Sequence, residues 1–300
     1  MATEIPYNRE LEFEYGKVDE LGLRIRRVIA NNPSAFTFHG TGTYILGRGQ
    51  VAIVDPGPDL AEHVDALLDA IRGETVSHIL VTHTHSDHSP AVKAVQAATG
   101  APSYAYGPHG TRPEDGASEG GADYDFTPDY TIGDGDVITG NGWSVEALHT
   151  PGHCSNHLCF RLREEDALFC GDHVMGWSTS IVSPPDGDMA AYMASLEKVG
   201  RFGASRYFPT HGAPIEDPEP YVKALLAHRH EREDQILAEL ANGPATIAEL
   251  VPRMYAAVDP KLYPAAARSV LAHMIHMEQI ERVKVDGDVG AESVYRLAAD

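Results

Sequence analysis

The stretch Ile79 to Pro90, ILVTHTHSDHSP, packs three histidines and an aspartate into the six residues from His83 to His88. Its opening residues, Ile79, Leu80 and Val81, are an apolar, β-branched-rich run that reads as the end of a buried strand. Ser89-Pro90 ahead of AVKAVQAA reads as a helix start. His83, His85, Asp87 and His88 therefore sit on a strand-to-helix loop. A loop held between two rigid elements can turn several side chains toward one point, at a density that a continuous helix or strand cannot match. Imidazole nitrogen and carboxylate oxygen are the ligands of zinc and similar divalent ions, at roughly 2.0 to 2.2 Å from the metal. Any one of these histidines could simply be solvated, but four such groups in six residues suggest two metals.

Three further pieces follow in order: HTPGH (His149 to His153), FCGD (Phe169 to Asp172) and PTHG (Pro209 to Gly212). Together with HxHxDH they resemble the metal-binding signature of the metallo-β-lactamase superfamily, over about the first 220 residues. The resemblance implies an α/β fold, the αββα sandwich of that family. It also implies that His83, His85 and His153 hold one metal, that Asp87, His88 and His211 hold the other, and that Asp172 bridges the two. Asp55, which ends a strand in the run Asp55-Pro56-Gly57-Pro58, is by the same resemblance an outer support of the metal loop, although turn chemistry alone would also favour an aspartate there. His157 resembles a recurring outer-shell or pocket histidine of the family's thioester-cleaving members. Ser89-Pro90-Ala91 stands where many members carry glycines, a departure that bears on the start of the next helix and not on the ligands.

Elsewhere in the first part of the chain, Leu23 to Ile29, Thr43 to Leu46 and Val51 to Val54 read as an opening series of hairpin strands, with Gly47-Arg48-Gly49-Gln50 as a turn. Val64, Leu67, Leu68 and Ile71 fall at helical spacing within Leu60 to Ile71, and a second helix is predicted from Ser89 to Thr99. Tyr106 to Thr127, rich in Gly, Pro, Asp and Glu, reads as an exposed loop with His109 as a solvated side chain. Gly133-Asp134-Gly135-Asp136 reads as a hairpin turn between Tyr130 to Ile132 and Val137-Ile138, in preference to a metal loop. The predicted strand Trp143 to Leu148 delivers HTPGH, whose Pro151-Gly152 turn aims His153 back toward the cluster and leaves His149 a structural role. Strand Ala167 to Cys170 brings Gly171-Asp172, the glycine allowing close backbone approach. His173, Trp177 and Ser178 follow directly, and Trp177 is a candidate pocket residue. Arg206 to Pro209 reads as a short strand ending at Thr210-His211.

Two domains are predicted, residues 1–219 and residues 220–300. Asp217-Pro218 is a helix-start signature, and Tyr221 to Leu240 reads as a long, charged linking helix. Thr246 to Glu249 has capping-box spacing, Ala265 to Ile280 carries Val270, Leu271, Met274 and Ile275 on one face, and Val283 to Val285 with Val294 to Leu297 forms a hairpin. Two helices and a hairpin are the pattern of a winged helix. The tail, including HRHEREDQIL (His228 to Leu237), is similar to the C-terminal region of the β-lactamase-like protein 2 group, whose members include hydrolases of unsettled substrate and an enzyme that cuts single-stranded RNA.

Composition narrows the function. A net charge of −21 disfavours binding to a polyanion, which needs clustered Lys and Arg. The recognition region of the tail carries only Arg268, with Arg282 and Lys284 on the wing. No run of about 18 apolar residues marks a membrane span, and the mixed polar N-terminus has no apolar leader core, so a cytoplasmic protein is expected. The three cysteines, Cys154, Cys159 and Cys170, are read as reduced, with Cys154 beside His153. From the ligand set, two Zn2+ roughly 3.5 to 4 Å apart would share a bridging water and generate hydroxide as the nucleophile, with iron or manganese as alternative occupants. Asp172 and Asp87 would neutralise the metals and orient that hydroxide. The leading expectation is thus a dizinc hydrolase of a small ester, thioester or lactone/lactam carbonyl. The alternatives are a metal-dependent endoribonuclease on single-stranded RNA, and a non-enzymatic winged-helix regulator with a metal-sensing domain. Oligomeric state is left open, homo-oligomers included.

Overall fold

The computed structural model of the chain describes residues 3–110 and 121–298. Its first sheet keeps chain order: β1 (Val18–Glu20), β2 (Ile25–Ile29), β3 (Gly42–Arg48), β4 (Gln50–Val54), β5 (Thr75–Leu80), β6 (Ser103–Ala105) and β7 (Tyr130–Thr131). The strands β1 to β4 pair antiparallel, as short connections allow. From β4 to β7 the pairing is parallel, which needs longer crossovers; α1 (Ala61–Ala70) and α2 (Val92–Thr99) make the first two. The second sheet is built from β8 (Val137–Gly140), β9 (Trp143–His149), β10 (Leu158–Leu162), β11 (Ala167–Gly171) and β12 (Arg206–Pro209), in spatial order β12-β11-β10-β9-β8. Here β11 and β12 are parallel, joined through α3 (Met189–Phe202).

The two-residue period of the strands sorts their side chains into layers. Tyr44, Leu46, Ala52 and Val54 face Leu158, Phe160, Leu162, Ala167 and Phe169 across the space between the sheets, in one buried cluster. Their neighbours Ile45, Val51 and Ile53 point the other way, onto Leu67 and Ile71 at α1 and Val92 and Val95 of α2. On the far side, Cys159, Leu168, Cys170 and Tyr207 pack against Tyr192, Met193, Leu196 and Val199 of α3. The result is the four-layer αββα sandwich expected from the sequence.

The last part of the chain adds α4 (Pro218–Leu240), β13 (Ala245–Thr246), α5 (Ile247–Met254), α6 (Tyr263–Gln279), β14 (Val283–Val285) and β15 (Val294–Leu297), with a three-stranded sheet in the order β13-β15-β14. Leu250, Val270, Met274, Val283 and Tyr295 form its separate core. A full capping box opens α5: the Thr246 side chain accepts from the Glu249 amide and the Glu249 carboxylate accepts from the Thr246 amide. Helix α4 belongs to two cores, giving Tyr221, Val222 and Leu225 to the layer over the second sheet and Ile236 and Leu240 to the C-terminal core.

Three local expectations change. Gly133 to Asp136 does not close a hairpin, because β7 lies in the first sheet and β8 in the second; the turn is a crossing between sheets. Tyr130 pairs parallel with Tyr104, while the Asp134 carboxylate accepts from the His149 amide at 2.8 Å and ties the turn to β9. Helix α2 begins at Val92 and not at Ser89, whose hydroxyl is instead donated to Asp123 at 2.6 Å. In the predicted loop Tyr106 to Thr127, residues 111–120 lie outside the described residues, and its described ends include the buried His109 and Phe126. Among the described residues, no helix is long and apolar enough to cross a membrane.

Candidate metal centre

The two parallel strand pairs β4-β5 and β11-β12 end at the same rim of the sandwich, and the polar cluster is assembled from their C-terminal ends. Asp55 follows β4, the 83–88 loop follows β5, Asp172 follows β11 and His211 follows β12. His153 arrives from the β9-β10 connection. Gly152 there has φ +135°, and a Cβ at that position would stand 2.3 Å from the Tyr192 backbone, so only glycine lets the turn lie against α3.

Two groupings result. In the first, His85 Nδ1 lies 3.0 Å from His83 Nε2 and 3.1 Å from His153 Nε2. In the second, His211 Nε2 lies 3.1 Å from Asp87 Oδ2, and His88 Nε2 lies 3.5 Å from the same oxygen. Asp172 stands between them: Oδ2 is 3.7 Å from His153 Nε2, while Oδ1 is 3.4 Å from His211 Nε2 and 3.6 Å from His88 Nε2. Among the described residues, His88 Nε2 and Asp172 Oδ1 are buried polar atoms with no hydrogen-bond partner, 3.6 Å from one another. Buried groups of this kind are ordinarily satisfied, and a cation there would satisfy both. The donor set therefore fits divalent metal ions.

The outward nitrogens are fixed in turn. His88 Nδ1 meets Asp55 Oδ2 at 2.9 Å, His153 Nδ1 meets the Ile181 carbonyl at 2.6 Å, His211 Nδ1 meets the Gly40 carbonyl at 3.1 Å, and His83 Nδ1 meets Thr82 Oγ1 at 3.0 Å. Such outer contacts set the ring orientation and leave the inner nitrogen free for a metal. Asp55 is a hub: its carboxylate also accepts from the Thr82 amide and hydroxyl and from the Thr210 hydroxyl. Its φ of +49°, rare outside glycine, is held by those bonds.

Charge follows the same division. Burial, reinforced by neighbouring imidazoles, lowers His83 well below the ordinary histidine range and His85 to about 3, so both rings are neutral. For His88 and His211 burial acts in the same direction but is outweighed by carboxylates: Asp87, Asp172 and Asp55 lift His88 well above its usual value, and Asp172 and Asp87 lift His211 to about 10. Burial would raise the Asp172 carboxyl, yet His211 and His88 hold it well below the usual carboxylate range. The second grouping thus calls for positive charge, which protons on imidazole supply when no metal does.

Of the other candidates, His157 is fully buried behind Asp172. Its Nε2 accepts from the Asp172 amide at 3.2 Å, its Nδ1 meets Thr150 Oγ1 at 2.9 Å, and burial keeps its ring neutral. Trp177 is half-buried and stacks on Phe38 at 4.7 Å. His149 stacks on Tyr106 at 4.0 Å and meets the Ser155 carbonyl at 3.0 Å, outside the cluster. His109 is buried, contrary to the solvated reading, because its Nδ1 meets Thr84 Oγ1 at 2.9 Å beneath Tyr124. Cys154 lies 3.3 Å from His85 Nε2, and all three cysteines are buried. Thr82, Thr150 and Thr210, whose hydroxyls hold this framework, are not singled out by sequence reasoning, although each lies beside or within a histidine motif.

Fold and cluster together define a metal-dependent hydrolase. The metallo-beta-lactamase superfamily model matches residues 37–211, and a beta-lactamase-associated winged helix domain model matches residues 246–292. The chain belongs to the metallo-beta-lactamase superfamily. Among similar curated proteins are an atrochrysone carboxyl ACP thioesterase of Aspergillus fumigatus, 34% identical over 88% of this chain and 85% of its own length, and a lactamase-like protein of an Aspergillus species, 33% identical over 79% of this chain and 74% of its own length. Similar solved structures include a metallo-beta-lactamase family protein of Thermus thermophilus, with a TM-score of 0.75, 23% identity and coverage of 93% and 100% of the two chains. A beta-lactamase domain protein of Burkholderia ambifaria has a TM-score of 0.79 at 19% identity, with coverage of 98% and 97%.

Proposed function

We propose that the chain is a binuclear hydrolase of small carbonyl substrates, thioesters first. In this reading His83, His85 and His153 hold one divalent ion, Asp87, His88 and His211 hold the other, and Asp172 bridges them. The carrying observation is the split of the Asp172 carboxylate, one oxygen toward His153 and the other toward His211 and His88. Zinc is the preferred occupant, since nitrogen and carboxylate donors in this number suit it, while iron and manganese accept the same donors. When bound, two such ions supply Lewis acidity, lowering the pKa of water and polarising the carbonyl to be attacked.

The chain's own groups provide the rest. Asp172 and Asp87 contribute the negative charge that keeps two dications in one buried site. The Asp87 side chain is 22% exposed, against 11% for Asp172, so of the two carboxylates it is the one nearer solvent and placed to orient an attacking water. Asp55, the Ile181 carbonyl and the Gly40 carbonyl hold three histidine rings in fixed directions, so little reorganisation accompanies the reaction.

The thioester preference rests on the thioesterase named among the relatives at 34% identity. The ribonuclease alternative is supported by the resemblance of the tail alone and is opposed by the net charge of −21. The test is elemental analysis of the purified protein alongside hydrolysis of acyl thioesters, lactones, β-lactams and unstructured RNA. About two metals per chain and a thioester rate well above the others are expected. A single metal per chain would sink the binuclear reading, and a preference for RNA would sink the substrate reading.

A further inference from the structure

Arg229 is 3% exposed, and none of the described residues forms an ion pair with its guanidinium. Burying that charge without a carboxylate is costly, so the group is placed for something other than packing. Its Nη2 donates to the Ser180 carbonyl at 2.5 Å, and the guanidinium lies 5.0 Å over the Tyr192 ring. The next carbonyl along the chain, that of Ile181, receives His153 Nδ1 at 2.6 Å. The same segment is closed at its other end: Ser180 Oγ and Tyr192 Oη both donate to the carbonyl of His173, the residue after Asp172. Arg229 therefore grips a loop that begins beside Asp172 and ends by orienting His153.

The helix that carries Arg229 is tied to the C-terminal unit one turn later. Glu233, 2% exposed, lies 2.7 Å from His276 Nδ1 and 3.3 Å from His273 Nδ1, both on α6. Ala272 of α6 is buried in the same cluster as Tyr192 and Leu225, so the two units touch at this point.

We infer that Arg229 is a positioning residue through which the C-terminal unit fixes His153, and with it the affinity of the His83/His85/His153 position for its metal. The inference rests on His153 being a metal ligand, as proposed above. A contact in this outer layer sets metal affinity by about tenfold or more.

The test is a double-mutant cycle on the full-length chain, with Co2+ and Zn2+ titrated into metal-free protein and followed by cobalt absorption and chelator competition. Arg229→Met should weaken binding at one of the two positions by about tenfold, with its melting midpoint recorded alongside. In a His153→Ala background the same change should have no further effect, because the ring it positions is gone. Arg229→Lys, which keeps the charge and most of the stem, should show a smaller loss in the wild-type background. Unchanged affinity in Arg229→Met, or equal losses with and without His153, would overturn the inference. If Arg229→Met does not fold, Arg229→Lys decides on the same comparison. A His153→Ala chain that binds both metals normally would instead overturn the ligand assignment beneath it.

Discussion

Asp172 is the sharpest place to test the site by a single atom, since Asp172→Asn keeps the shape and removes one negative charge from between the two groupings. With excess zinc supplied, the variant is expected to fold, to bind the second metal more weakly and to lose turnover by orders of magnitude. Metal content, melting and turnover measured side by side check this; two metals with near-normal turnover would contradict the bridge. The two histidines of HTPGH make a paired test. His153→Ala should lose metal and activity together, whereas His149→Ala, which gives up a stack on Tyr106 and a bond to the Ser155 carbonyl, should keep both. At this scale the inner cluster was legible because its residues crowd into short motifs. Its support was less so: the hydroxyls of Thr82 and Thr210 meet at Asp55 only after β4, β5 and β12 have been brought to one rim, and no spacing along the chain encodes that meeting.

Elements were legible in proportion to how far local pattern decides them. β3, β4 and β5 announce themselves by β-branched runs, and α5 by its capping box. Strand β10, Leu158–Leu162, is short and its run LCFRL has no β-branched residue, so it does not stand out. Helix α3 could have been read: Asp188 caps it by accepting from the Ala191 amide at 2.8 Å, and Met189, Tyr192, Met193, Leu196 and Val199 follow at helical spacing. The Gly133 to Asp136 turn could not, because a hairpin and a crossing between sheets use the same turn residues. The contact of α3 with the HTPGH turn carries its own prediction. Gly152→Ala would drive a Cβ into the Tyr192 backbone at a positive φ, and should destabilise the chain by roughly 3 kcal/mol or more while displacing His153. Urea unfolding and metal content should fall together; a stable variant with normal metal content would show that α3 does not constrain this turn.

For the molecule as a whole, acid sensitivity should come from histidines buried without charge. Burial pushes His63, His228 and His273 each down to about 4, whereas in the unfolded chain they titrate near 6.5. Above about pH 6.5 neither state binds these protons and stability is unaffected. As pH falls from there toward 4, the unfolded chain takes up protons that the fold refuses, and stability declines. For His63, 2% exposed, the full effect is up to about 3 kcal/mol. Unfolding midpoints of metal-free protein between pH 7.5 and 5 should therefore drop, and should drop less in His63→Gln; parallel curves would assign the acid sensitivity elsewhere.

The sharing of α4 between two cores also bears on how the protein is made. Synthesis proceeds from the N-terminus, and every proposed metal-binding side chain has been added once His211 is joined. At that moment Tyr221, Val222 and Leu225, which seal the outer face of the second sheet, do not yet exist. A nascent chain thus displays its complete set of metal-seeking groups before the frame that aims them can close. If these groups bind metal as proposed, loading is expected to follow the addition of the first turns of α4, and not of His211 itself.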